Sequence, residues 1–438
     1  MPSAFFTGLS GLRAHSRAVE VIANNLANLN SIAFKGSRAD FRDLFYQQIG
    51  QSRSGVASQV GIGTAPITVS RRFEQGTIQN TGGLLDAAIQ GEGFFIVKDQ
   101  DLIQYTRAGN FQLNSNQQLV TLSGERVQGW IRDATSVVDS NLPISDITLQ
   151  GNDRISPQGT SNIRISANLA TGSTLPFSRP IQIFDSLGES HIMTLVFTPV
   201  VPPRAGFSSS FDVTATLPAS DVLDTTTGPP FVPPATDPNL VAGGPFPLDF
   251  DSNGALDVPG VPFAIPIDMT MATPNPVVFA NGAADLLVNW NLLDSLLQPT
   301  LSSVASNSAV TDIFQDGTPS AELLSISIAD GGKINGLYSD GRTLLLAQLA
   351  LQRFNNPQTL LATGNNNFVP TAASGVSAPG EANAGGLGSI IGVSLEFSNV
   401  DIAQEFTNLL TYQRGFQANS RVITTADELN QEALNLKR

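Results

Sequence analysis

The two ends of the chain carry matching apolar stripes at helical spacing, whereas the long middle alternates with the period of two that strands require. Near the start, Phe5, Leu9, Leu12, Val19, Ile22, Leu26 and Leu29 recur at steps of three and four, with one seven-residue gap. Near the end, Ile402, Phe406, Leu409, Phe416, Ile423 and Leu429 do much the same. Such spacing lays apolar side chains along one narrow seam of a helix, and a seam that narrow calls for a partner helix. The two ends of one chain are the nearest candidates for each other. Ala23, Asn24, Asn25, Ala27 and Asn28 accompany the first stripe and suit close packing with many neighbours. Two ordinary amphipathic helices on a globular core would give the same pattern. Their position at both extreme termini points instead to a filament subunit that polymerises through a terminal coiled coil.

The middle is too rich in turn formers for a helical protein. The chain has 438 residues, with 39 Gly, 27 Pro and only 14% charged residues, a turn-rich β composition long enough for two to four domains. With no Cys, disulfides and thiolate metal sites are excluded. No apolar run reaches the roughly 18 residues of a membrane span, so no membrane insertion is expected. The first twenty residues lack a basic start followed by an apolar block, so no cleavable signal peptide is expected. That leaves the cytosol, or export by a route without a cleaved signal. Charge is uneven: residues 1–72 hold eight Lys/Arg and three Asp/Glu, whereas 73–395 hold 11 and 28. An acidic middle argues against a nucleic-acid partner.

Along the chain, Asn30 to Gly36 is a polar break, Phe41 to Ile49 a short amphipathic segment, and Gly50–Gly63 is expected to be irregular. From Ile67 the period is two, as in Thr77-Ile78-Gln79 and Phe94-Phe95-Ile96-Val97, with Gly-rich turns between. Ile181–Phe184 and Ser190–Phe197 read as a hairpin closed by Asp185-Ser186-Leu187-Gly188. Eight prolines within 218–247 rule out a central strand and predict a long loop or insertion. Hairpin signals resume over 323–354, and a Gly/Ala/Ser/Asn tract, 364–389, leads to a helix capped by Asn399 or Asp401. The expected fold is multidomain and mainly β, with an α-helical coiled-coil domain formed by the two termini and a nested insertion topology. The expected parts are 1–30 with 396–438 as the helical domain and 31–66 with 364–395 as a linking region. Residues 67–149 with 319–363 form an inner β domain, and 150–318 an inserted outer β domain.

Chemistry is sparse. His15 belongs to the N-terminal helix, where a solvated face is expected. His191 follows Asp185 and Ser186 closely enough to suggest a Ser/His/Asp cluster, but Asp-Ser-Leu-Gly is ordinary turn chemistry. Asp249 to Gly254 opens like a calcium loop, yet Gly260 stands where the bidentate Glu belongs, and a strand-turn-strand fits better. No catalytic constellation, cofactor motif or metal site emerges, and no enzymatic activity is expected.

Asn24-Asn25-Leu26-Ala27-Asn28 followed by Ile32-Ala33-Phe34-Lys35 resembles the N-terminal signature of the bacterial flagellar axial proteins, the rod and hook family. Leu85 to Phe95 and Tyr105 to Phe111 resemble that family's inner-domain motifs, and Ser398 to Asp401 with Tyr412 to Asn419 its C-terminal motif. The motifs cover roughly 1–130 and 320–438. The long insert, with Phe184-Asp185-Ser186-Leu187-Gly188, is similar to that of the family's hook members; a distal-rod-type member is the alternative. The resemblance implies a structural subunit that assembles into a flexible curved tube, a universal joint carrying motor torque to the filament. It further implies type III export, an extracellular location, and as partners the chain itself, the distal rod, the hook cap, the hook–filament junction proteins and the export apparatus. It gives an assembly role to Leu9, Leu12, Val19, Ile22, Asn24, Asn25, Leu26 and Asn28. At the other end it does so for Ile402, Phe406, Leu409, Phe416 and Ile423.

Overall fold

The computed structural model describes residues 2–51, 57–132, 138–149, 154–223, 239–257, 264–268, 278–284, 286–294 and 296–435. They divide into two compact units, Met1–Asn152 with Leu323–Arg438, and Asp153–Glu322. The chain is mainly β with one long helix at each end, α1 over Pro2–Ala27 and α2 over Ile402–Asn435, and these pack together.

In the first unit, the strands from the two flanks interleave in one antiparallel sheet. Its path runs Ala321–Ala329, Lys333–Tyr338, Thr343–Leu349, Arg126–Ile131, Phe94–Asp99, Leu102–Thr106, Asn367–Val369, Leu361–Gly364. The meander over 321–349 is the hairpin series read from the sequence. The decisive pairing is non-local: Trp130 lies opposite Gln348, and Phe368 opposite Tyr105. Phe94, Tyr105, Trp130, Phe354 and Phe368 form its buried aromatic core, with ring pairs edge-on. Gly109 is required where the backbone of Ala87 passes, since an added Cβ would collide with the Ala87 carbonyl oxygen.

Two arms continue from this sheet towards the helices. Ala87–Gln90 pairs with Ser389–Gly392, and Ile78–Asn80 with Ser394–Glu396, so outgoing and returning chain run side by side. Ser37–Asp40 pairs with Thr68–Arg71. The Gly50–Gly63 stretch, expected to be irregular, instead belongs to a hairpin of Tyr46–Gln51 with Ala57–Gly61, in which Gln48 lies opposite Gln59 and the register shifts between Gln48 and Gly50. Residues 52–56 between them lie outside the described residues.

The second unit builds one core between two sheets. Phe177–Phe184, Ser190–Pro199, Ser209–Pro218 and Asn239–Phe250 form an antiparallel four-stranded sheet in that order. The other sheet centres on Asn162–Asn168, flanked by Leu287–Asn291 in parallel and Ala309–Gln315 antiparallel. Strict alternation along 162–168 and 190–199 sends Ile163, Ile165, Met193, Leu195 and Phe197 inward, around a fully buried Trp290. The hairpin at 177–199 forms as read, its loop one residue longer, Asp185–Glu189, with Gly188 at a φ of 83°. The long loop predicted for 218–247 gives way over its last nine residues to strand Asn239–Phe250, while 224–238 lie outside the described residues. Proline is tolerated there because the strand is an edge, where a missing N–H costs no ladder bond, and the register breaks between Gly243 and Phe246, around Pro245.

Candidate assembly surface

The two helices run antiparallel. A Cβ on Gly8 would sit 3.1 Å from the Ile423 side chain, one on Gly11 2.5 Å from Asn419 Oδ1, and one on Gly415 2.5 Å from the His15 ring. Ala14, Ala18, Ile22 and Asn25 of α1 and Glu405 and Ala426 of α2 are buried. The intrachain seam is therefore built mainly from small residues, which lets two backbones approach closely. Asp401 caps α2, accepting a 2.9 Å hydrogen bond from the Gln404 amide, as expected of one of its two candidate caps.

The apolar stripe lies largely beside this seam rather than within it. Ile22 is buried; Leu9, Leu12, Val19, Leu26, Leu29, Leu409 and Ile423 are half-buried. Phe5, Ile402, Phe406, Phe416 and Leu429 are exposed, Phe406 at 52% and Ile402 at 49%, and Phe6 and Leu410 join them at 59% and 56%. Of the asparagines, Asn25 is fully buried, Asn28 half-buried and Asn24 exposed. The seam residues Gly8, Gly11, Ala18, Ile22 and Asn25 also recur at steps near 3.6, but glycine and alanine register weakly on any hydrophobic pattern. That spacing of small residues was the available signal. His15, expected on a solvated face, is half-buried between Phe41 and Tyr412, with ring centroids at 5.1 and 6.1 Å. Burial pushes its pKa below the ordinary histidine value.

A buried polar knot ties the helices to the β arms, and it draws in Asn25, Lys35, Arg107 and Asn399 of the motifs. Asn25 exchanges two hydrogen bonds with the Ser37 backbone, at 2.7 and 2.9 Å. Ala33, at a φ of 56°, turns the chain so that Lys35 enters the interior. There Lys35 Nζ meets Glu396 Oε1 at 2.6 Å and donates to the Glu74 carbonyl oxygen at 2.8 Å. Arg107 approaches the other Glu396 oxygen at 3.5 Å, donates to the Gly91 carbonyl oxygen at 2.7 Å and lies over the Phe94 ring. Burial pulls the Lys35 pKa down, with Glu396 opposing the shift and Arg107 adding to it. Asn399 accepts from the Gly36 amide and donates to the carbonyls of Arg72 and Glu74, while Arg72 pairs with Glu405 of α2 at 3.0 Å. Sequence reading flagged the motifs but not this network, whose members are up to 361 positions apart.

In the second unit, His191 does not form a triad. Its Nε2 lies 3.1 Å from Asp185 and its Nδ1 3.2 Å from Asp221, while Ser186 is exposed and accepts from the Ala284 amide. Burial raises the Asp185 pKa, but hydrogen bonds from Asn281, His191 and the amides of Glu189 and Leu187 outweigh it and hold the carboxyl below its usual range. In the segment that opens like a calcium loop, Asp249 pairs with Arg204 at 2.9 Å and Asp251 caps the turn by accepting from the Asn253 and Ala255 amides. The strand-turn-strand reading describes it.

Comparison with known proteins places these features in a family. A model described as Flagella basal body rod protein matches residues 5–35, and one described as Flagellar basal body rod FlgEFG protein C-terminal matches 394–436. Flagellar hook protein FlgE/F/G D1 domain matches 88–170, and Flagellar basal body protein FlaE D2 domain matches 151–318. The chain is 32% identical to Flagellar hook protein FlgE of Borreliella burgdorferi, with 100% of both chains covered. It is 29% identical to Flagellar hook protein FlgE of Escherichia coli K12, over 99% of this chain and 100% of that one. A crystal structure of Helicobacter pylori flagellar hook protein FlgE2 matches 72% of this chain and 99% of its own at 13% identity, with a TM-score of 0.48.

Proposed function

The chain belongs to the flagellar hook protein family, and from that premise we propose that it assembles into a flexible curved tube acting as a universal joint between motor and filament. It is a structural subunit of the hook. The carrying observation is the helix pair, whose small-residue seam closes within one chain while Phe5, Phe6, Ile402, Phe406, Leu410 and Phe416 stay exposed. Large apolar side chains left exposed along the pair mark an interaction surface, and copies of the same chain, contacting head to tail, would bury them in a helical polymer.

In this reading, 1–30 with 396–438 form the axial domain, 31–66 with 364–395 link it to an inner β domain of 67–149 with 319–363, and 150–318 form the outer domain. Leu9, Leu12, Val19, Leu26, Leu409 and the exposed aromatics carry assembly, whereas Ile22 is buried within the subunit and Asn25 ties α1 to the Ser37 backbone. The hook would lie outside the cell, its subunits exported without a cleaved signal. It would meet the distal rod at one end and cap or junction proteins at the other. The end models, shared with rod proteins, favour a distal-rod role as the second reading.

Electron microscopy of the purified chain under polymerising conditions tests this: curved tubes are expected, and amorphous aggregate or a persistent monomer overturns it. Short, rigid tubes would favour the rod reading. Deleting 150–318 should leave tube formation intact and straighten the tube. Tubes of unchanged supercoil would remove the bending role of the insert.

A further inference from the structure

A groove of about 840 Å³ runs between α1 and the strand pair 37–40 and 68–71. Ala14, Val21, Ile67 and Val69 line it, with Val69 52% exposed. Along its rim, Arg13 and Arg17 stand one helical turn apart, and Arg17 is bonded to Glu20 at 3.1 Å with 73% of its side chain exposed. The last turns of α2 are the complement. Val422 and Leu429 are exposed, at 46% and 45%, and Glu428 and Glu432 stand beside Leu429, also one turn apart and exposed. Carboxylates near a helix C-terminus oppose its dipole, and α2 has no basic residue in its last turn to offset them. Among the described residues, no cation pairs with Glu428 or Glu432.

The arginines of the same chain are out of reach. Gly8 lies against Ile423, Gly11 against Asn419 and His15 against Gly415, so Arg13 is level with residues near 417. Glu428 lies about eleven residues further along, or ~16 Å at the helical rise. An ion pair spans no such distance, so within one chain these carboxylates do not reach Arg13.

We propose that the C-terminal turns of α2 from a second copy of this chain dock in the groove. Val422 and Leu429 cover Val21 and Val69, and Glu428 and Glu432 face Arg13 and Arg17. The contact rests on the self-assembly reading and names the surfaces that carry one of its interfaces. The apolar faces supply burial, and the matched charges fix register.

Charge reversal of the full-length chain tests it. Arg13→Glu with Arg17→Glu, and separately Glu428→Arg with Glu432→Arg, should each raise the critical concentration for polymerisation about tenfold or more. Combining all four substitutions should restore it to within about threefold of the parent, which a generic loss of charge cannot do. Failure of the combined variant to recover, or no effect of the Glu428 and Glu432 reversal, overturns the contact while parent tubes keep the assembly reading intact. A parent that forms no tubes overturns both. Should the reversed chains misfold, Arg13→Gln with Arg17→Gln is the second test. Its critical concentration should lose most of the parent's salt dependence, and an unchanged salt dependence overturns the contact.

Discussion

The terminal helix pair and the inserted unit solve opposite problems with the same residue types. The insert turns its large apolar side chains inward: Trp290, Phe197, Phe250 and Phe279 are fully buried in a core shared by two sheets. The helix pair does the reverse, burying glycine and alanine beside Ile22 and leaving Phe5, Phe6, Ile402, Phe406, Leu410 and Phe416 exposed. A region that closes its own core needs no neighbour, whereas one that spends its small residues on intrachain contact keeps its large ones for other chains. The insert is thus a finished object, and the helix pair half of an interface.

The sharpest way to break this contrast is to charge the exposed face. Phe406→Asp combined with Phe416→Asp should abolish tube formation, since each buried unpaired carboxylate costs several kcal/mol in every subunit. The thermal unfolding of the monomer should be unchanged. A destabilised monomer would place these side chains in the subunit's own packing. Next in size, Trp290→Ala should lower the stability of the inserted unit by about 3–5 kcal/mol, as loss of a large buried aromatic does. Polymerisation should survive, and calorimetry beside electron microscopy separates the two readouts. Loss of tubes with an otherwise folded chain would show that the insert's integrity is needed for axial assembly.

The seam itself makes a subtler test. Gly415→Ala would ordinarily stabilise a helix by about 1 kcal/mol. Here the new methyl meets the His15 ring, which Phe41 and Tyr412 hold from two sides, so a loss of about 1–3 kcal/mol is expected, as for overpacking. A gain in the denaturant midpoint would mean the helices are not that close. The smallest effect concerns acid. Asp185 has its folded pKa depressed, so it contributes stability above the ordinary aspartate range of about 3.9. That contribution fades as pH falls through the depressed value. Asp185→Asn should flatten the acid limb of unfolding for the inserted unit only. Equal flattening for both units would count against this assignment.

Much of the fold was legible from local pattern. Heptad-like spacing gave two terminal helices, Asn399 or Asp401 marked the start of the second, and period-two runs broken by Gly turns gave the strands at 94–97, 181–197 and 323–349. Other features were not, for identifiable reasons. The strand at 239–250 hides behind Pro245 and Pro247, which are compatible with pairing because, among the described strands, it is the last of its sheet. His191 looked like part of a cluster with Ser186, but the hydroxyl is engaged by a backbone amide while Asp221, thirty positions away, takes the ring nitrogen.

By itself, then, the sequence determined the terminal helices, the strands whose alternation is unbroken and the turns between them, and that the ends belong together. Backbone periodicity and capping are set by neighbours a few positions away, and those are written consecutively. Tertiary structure alone decided which face of each helix turns inward, because the choice depends on whether a side chain leaves room for the opposing backbone. It also decided that Lys35, Arg107 and Glu396 share one buried site. Each of those charges is costly to desolvate singly and tolerable only with the others, and their meeting is fixed by strand pairing between segments hundreds of residues apart.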